Sequence, residues 1–84
     1  MEMEFTNAAY TDYLFWKRKD PKKYQRINAL CKAIAESPFD GIGKPEPLLF
    51  DLQGYWSRRI DKTHRLVYKA NKGKILIISC RYHY

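Results

Sequence analysis

The spacing of apolar positions changes as the chain proceeds. Met3 and Phe5 alternate with Glu2 and Glu4 and predict a short opening strand. Tyr10, Tyr13, Leu14 and Trp16 then recur at helical spacing, predicting a first helix capped by Thr6 or Asn7. The run "KRKDP" ends it and starts the next, since Asp20 suits an N-cap and Pro21 a first helical position. In that second helix Tyr24, Ile27, Leu30, Cys31 and Ile34 form an apolar stripe, with Lys22, Lys23, Arg26 and Lys32 on the polar side. Such a stripe belongs to the core. Ser37-Pro38 stops the helix.

From Phe39 to Pro47, "FDGIGKPEP" holds two glycines and two X-Pro steps, which predicts a stiff, shaped loop. Short runs rich in β-branched and aromatic residues follow. "YWSRRID" leads through Lys62-Thr63 to "HRLVYKA", and Asn71-Lys72-Gly73 turns that run into "KILIISCRYHY". "PLLFDL" offers one more strand. Residues 1–84 thus read as a single α+β domain. An N-terminal strand and a helical hairpin pack on one face of a mostly antiparallel sheet.

Side chains alternate across a strand, so parity sorts them into faces. Leu66 and Tyr68, with Leu76, Ile78 and Cys80, are the expected surfaces beneath the helices. The opposite face then gathers Arg59, Arg65, Arg81 and His83. Arg58 falls with Trp56 and Ile60 on the other parity of its strand.

Charge sharpens this picture. Sixteen Lys and Arg against nine Asp and Glu give +7, which favours a polyanionic partner and nucleic acid first. A patch of arginines is suited to phosphate, because each guanidinium presents two parallel donors. The hydrophobic content of 45% places the chain among folded proteins. Glu2 and Glu4 after Met1 predict no secretory leader, and the apolar run Ile75 to Ile78 is too short for a bilayer, so the expected location is the cytoplasm, without membrane contact. Cys31 and Cys80 are far apart and read as small buried hydrophobes.

The candidate chemistry is narrow. There is no H-E-x-x-H, no cysteine pair at zinc spacing and no phosphate loop of the G-x-x-x-x-G-K type, so neither a metal nor another cofactor is expected. What is left is acid–base work at a phosphate. RNA suffices as substrate for that, because its own 2′-hydroxyl attacks the neighbouring phosphorus. The protein then supplies a base, an acid and positive charge. Glu46, stiffened by Pro45 and Pro47, is the best candidate base.

The stretches "GKPEPL", "GYWSRRI", "HRLVY" and the terminal "CRYHY", in this order, resemble the YoeB/Txe toxins of the RelE superfamily. "DYLFWK" in the first helix and "INAL" in the second extend the resemblance over essentially the whole chain. It implies a RelE-like fold and the toxin of a bacterial type II toxin–antitoxin pair, acting as a ribosome-associated endoribonuclease that cuts mRNA in the A site. Carried over motif by motif, it implies Glu46 of E-P-L as general base and His83 of R-Y-H-Y as general acid. Arg65 of H-R-L-V-Y and Arg59 of W-S-R-R would hold and neutralise the phosphate, with Tyr84 contacting the substrate base or aligning the histidine. One departure stands out. Relatives often carry a lysine after E-P-L, whereas this chain has Leu49, which leaves Lys44 and Arg81 as the further candidates for substrate binding. His64, of opposite parity to Arg65, reads as structural.

The resemblance also implies a cognate antitoxin of the YefM/Phd type, whose acidic segment folds onto the basic surface. Contacts with ribosomal RNA and with operator DNA through the antitoxin complex follow from it, and a homodimer stays open. Two rivals stand beside the enzyme: a non-enzymatic nucleic-acid-binding module, and a degenerate toxin that acts only as a co-repressor.

Overall fold

The computed structural model describes residues 1–82, so His83 and Tyr84 lie outside the described residues. Strand β1 (Glu2–Phe5) leads into helices α1 (Asn7–Lys19) and α2 (Pro21–Glu36). After the loop come β2 (Glu46–Pro47), β3 (Trp56–Arg59), β4 (Arg65–Asn71) and β5 (Lys74–Ser79). They form one five-stranded sheet in the order β1-β5-β4-β3-β2. The β1–β5 pair is parallel and the other pairs are antiparallel. The α+β architecture read from the sequence is the one found.

The helix ends follow their local chemistry. Thr6 caps α1, its Oγ1 accepting the Ala9 amide at 3.1 Å. Asp20 serves both helices: its N–H donates to the Trp16 carbonyl at 2.8 Å, and its carboxylate accepts from Lys23. Pro21 fits the first turn of α2, where its missing N–H costs nothing. The core sets Ile27, Leu30 and Ile34 of α2 and Ala9 and Trp16 of α1 against Leu66, Tyr68, Ile75, Ile77 and Cys80 of the sheet side.

Two expectations change. In β5 the helix-facing residues are Ile75 and Ile77, both fully buried, while Leu76 and Ile78 are only half-buried. The cause is a bulge. Val67 pairs with Ser79 and Tyr68 with Ile77, so Ile78 is an extra residue that flips the parity of everything after it. Cys80 therefore still faces the core, as expected, and Ser79 faces away with Val67. The second change concerns "PLLFDL". Only Pro47 of it joins a strand; Phe50, with a φ of 57°, turns the chain into a short 3-10 segment, Phe50–Leu52.

Arg58 is fully buried, a charged residue on the core face of β3. Its guanidinium donates to the carbonyls of Ser37 (2.6 Å), Asp40 (2.8 Å) and Ile42 (3.1 Å), and to the Tyr68 hydroxyl (3.2 Å). Tyr68 in turn donates to the Pro38 carbonyl at 2.6 Å. One side chain thus staples the loop that leads to β2. Gly43 completes the fit: at its φ of 86° a Cβ would stand 2.7 Å from Leu30 Cδ2 and 3.0 Å from Arg58 Cβ. Arg58→Met strips these carbonyls of their donor and should cost about 3 kcal/mol of stability. Urea unfolding reads the difference, and a loss below about 1 kcal/mol would contradict the staple role.

Candidate active site

The strand register decides which side chains share a face. Glu46 of β2 lies opposite Ser57 of β3, Ser57 opposite Val67 of β4, and Val67 opposite Ser79 of β5. This row crosses the sheet on the side away from the helices. One step along the same face, Arg59 of β3 lies directly opposite Arg65 of β4. Strand spacing and rise put the Glu46 and Arg65 backbones about 12 Å apart, within joint reach of two long side chains and a phosphate between them. Ser57 and Val67, almost fully buried, form the floor.

Each member is held by its own element. The Arg59 N–H donates to the Gly43 carbonyl at 2.7 Å, tying β3 to the stapled loop, and Arg26 of α2 donates to the Arg59 carbonyl. The Arg59 side chain is exposed. Arg65 is half-buried, and its Nη1 donates to the carbonyls of Asp61 (2.8 Å) and His64 (3.1 Å). That leaves Nε and Nη2 free of partners among the described residues, so one edge of the guanidinium is anchored while the other is available. Among the described residues none of Arg59, Arg65 and Arg81 is in an ion pair; the ion pairs found there join Lys23 to Asp20 and Asp61, and Lys74 to Glu4.

Glu46 is exposed on the edge strand and borders an open depression of about 350 Å³, together with Leu48, Leu49 and Phe50. Leu49 is 68% exposed, and Phe50 90%. The wall beside Glu46 is thus apolar. Lys44 sits exposed two residues earlier, with a left-handed φ of 51°. Arg81 goes elsewhere. Its guanidinium carbon lies 3.7 Å from the Phe15 ring centroid of α1 and 4.9 Å from that of Tyr82, and its buried Nε has no hydrogen-bond partner among the described residues. Glu46, Arg59 and Arg65 are brought together, whereas Arg81 stacks against α1. His83 and Tyr84 lie outside the described residues, and the last of these, Tyr82, has its carbonyl bonded to the Arg65 N–H at 2.9 Å.

Burial pushes the Cys31 thiol up to about 11 and the Cys80 thiol up to about 12, so neither provides a thiolate at neutral pH. Among the described residues no three His, Cys, Asp or Glu side chains converge as a metal site. Nor is any helix there long and apolar enough to cross a membrane. Sequence reasoning missed the part Arg58 plays in presenting Glu46. Its signal was a charged residue at core parity.

The model of the family described as "YoeB-like toxin of bacterial type II toxin-antitoxin system" matches residues 5–84. Toxin YoeB of Synechocystis sp. is 57% identical over 84 residues, covering 100% of this chain and 98% of that protein. A solved YoeB/ParE toxin from Agrobacterium tumefaciens superposes with a TM-score of 0.95 at 44% identity, covering 100% of both chains. The toxin chain in a heterotetrameric YoeB–YefM toxin–antitoxin complex from Staphylococcus aureus matches at a TM-score of 0.92 and 44% identity, over 100% of this chain and 98% of that one. The fold is accordingly the RelE-like one that the sequence motifs implied. With the match running from the first strand to the last residue, this chain belongs to the YoeB-like toxins of bacterial type II toxin–antitoxin systems.

Proposed function

We propose that this toxin is a ribosome-dependent, metal-independent endoribonuclease that cuts mRNA in the A site. What carries the proposal is the shared face of Glu46, Arg59 and Arg65, with cations that have no carboxylate partner among the described residues. In this mechanism Glu46 takes the proton of the 2′-hydroxyl as its oxygen attacks the adjacent phosphorus. The bond to the 5′-oxygen breaks, and His83 donates a proton to that leaving oxygen. Negative charge grows on the equatorial oxygens in between. Arg65, oriented beforehand by the turn carbonyls, needs little reorganisation to meet it, and Arg59 adds a second cation. Tyr84 contacts the substrate base or aligns His83, Lys44 contributes to RNA and ribosomal RNA binding, and Leu49 gives the base beside Glu46 an apolar neighbour.

The cognate partner in this proposal is a YefM-type antitoxin. The S. aureus relative assembles with YefM, and a net charge of +7 suits an acidic segment here. Operator DNA is met through that complex.

Purified toxin added to ribosomes carrying a defined mRNA should cleave at the A-site codon, and Arg65→Ala should lower the single-turnover rate by about 10²–10³-fold. Ribosome affinity should change little, because the Arg65 charge matters most when the phosphorane forms. Binding without cleavage by the unaltered protein would instead favour a nucleic-acid-binding module. An effect of Arg65→Ala on affinity alone would move Arg65 to a positioning role.

A further inference from the structure

We propose that His64 is a positioning residue for the terminal segment, holding it against Arg65 through the lone pair of Nδ1. The inference rests on the cleavage reaction proposed above, in which that segment carries the general acid.

Tyr82 has a φ of 61°, a left-handed conformation that is strained for a bulky residue. Such a conformation persists only where its surroundings over-determine it. Here they do. The Tyr82 N–H donates to His64 Nδ1 at 2.6 Å, and the Tyr82 carbonyl accepts from the Arg65 N–H at 2.9 Å. One residue earlier in the chain than Arg81, the Cys80 carbonyl accepts from Trp16 Nε1 at 2.8 Å. Successive clamps therefore follow the end of β5. They steer the chain back along the start of β4, beside the arginine pair.

The imidazole is itself immobilised. Trp16 meets it edge to face with ring centroids 4.7 Å apart, and Tyr82 covers another side at 5.5 Å. The backbone N–H of His64 donates to Asp61 Oδ1 at 2.7 Å, fixing the base of the side chain, and Asp61 also pairs with Lys23 of α2 at 3.2 Å. Burial alone would raise the Asp61 carboxyl, but the amides of His64 and Thr63 and the Lys23 ammonium hold it below its ordinary value, so it stays an acceptor at neutral pH. A backbone N–H pointing at Nδ1 requires that nitrogen to be unprotonated, which fixes the proton on Nε2. A histidine retained only for packing needs no such tautomer.

The test compares acceptors. Asn places a carbonyl oxygen near the Nδ1 position; Gln carries it one atom further out; Leu has none. His64→Leu should lower the single-turnover cleavage rate by about 10²-fold, since small misplacements of a reacting group cost that much. Ribosome affinity and antitoxin binding should hold within a few-fold. His64→Asn should recover most of the rate and His64→Gln should not, which keeps the test open should the Leu variant fold poorly. In parallel, hydrogen exchange at the Tyr82 amide should quicken in the Leu and Gln variants and stay slow in Asn. Should the unaltered toxin not cleave, the cleavage mechanism fails, while the exchange pattern still decides the clamp. Asn as impaired as Leu, or Tyr82 protection unchanged across the series, would overturn it.

Discussion

Glu46→Gln and His83→Gln should each reduce mRNA cleavage on the ribosome by about 10²–10⁴-fold, the usual loss when one partner of an acid–base pair is removed. Glu46 is exposed on a two-residue edge strand, and Gln keeps its shape, so the thermal midpoint should barely move. The loss would then be chemical. The double variant should lose less than the product of the single losses, because both groups serve one displacement and behave as a unit. Single-turnover kinetics with matched ribosome occupancy measure all of these. Growth inhibition in cells should fall in parallel, with antitoxin binding retained. Single variants that cut at the rate of the unaltered toxin would remove Glu46 and His83 from the mechanism.

Much of this site was legible because two-residue periodicity is a strong signal where one face of a strand is buried. Arg59 on β3 and Arg65 on β4 lie on the face that parity assigned them, directly opposite each other. The caps at Thr6 and Asp20-Pro21 and the turn at Asn71–Gly73 were likewise written in residues whose side chains or backbone freedom have few other uses. The bulge at Ile78 was not legible. "ILIIS" is apolar on both parities, so nothing in it marks which residue is inserted.

Arg58 and Arg59 are adjacent and chemically identical, yet one is fully buried and the other exposed. Parity separated them, but the partners that make a buried guanidinium tolerable are backbone carbonyls of a distant loop, and carbonyls leave no trace in a sequence. Arg81 misled for a related reason. It follows Ser79 in parity, but β5 has ended by then, and stacking on Phe15 rather than strand alternation places its side chain. His64 was read as structural on parity alone; the acceptor it offers Tyr82 depends on a left-handed turn that no local motif announces.

The substrate's own 2′-hydroxyl is the nucleophile proposed for this toxin, and a single atom tests it. An mRNA with one 2′-deoxy sugar just 5′ of the scissile phosphate keeps the phosphates that Arg59 and Arg65 would hold, so ribosome binding should survive. Cleavage should not, because no oxygen is left to attack. On the unmodified message the products should end in a 2′,3′-cyclic phosphate, or the 3′-phosphate from its hydrolysis, and a 5′-hydroxyl. A metal-activated water would tolerate the modified sugar and in many cases leave a 5′-phosphate. Mapping the product ends on the two messages side by side should therefore give cyclic phosphate from one and intact RNA from the other. Efficient cutting of the 2′-deoxy message would contradict the mechanism.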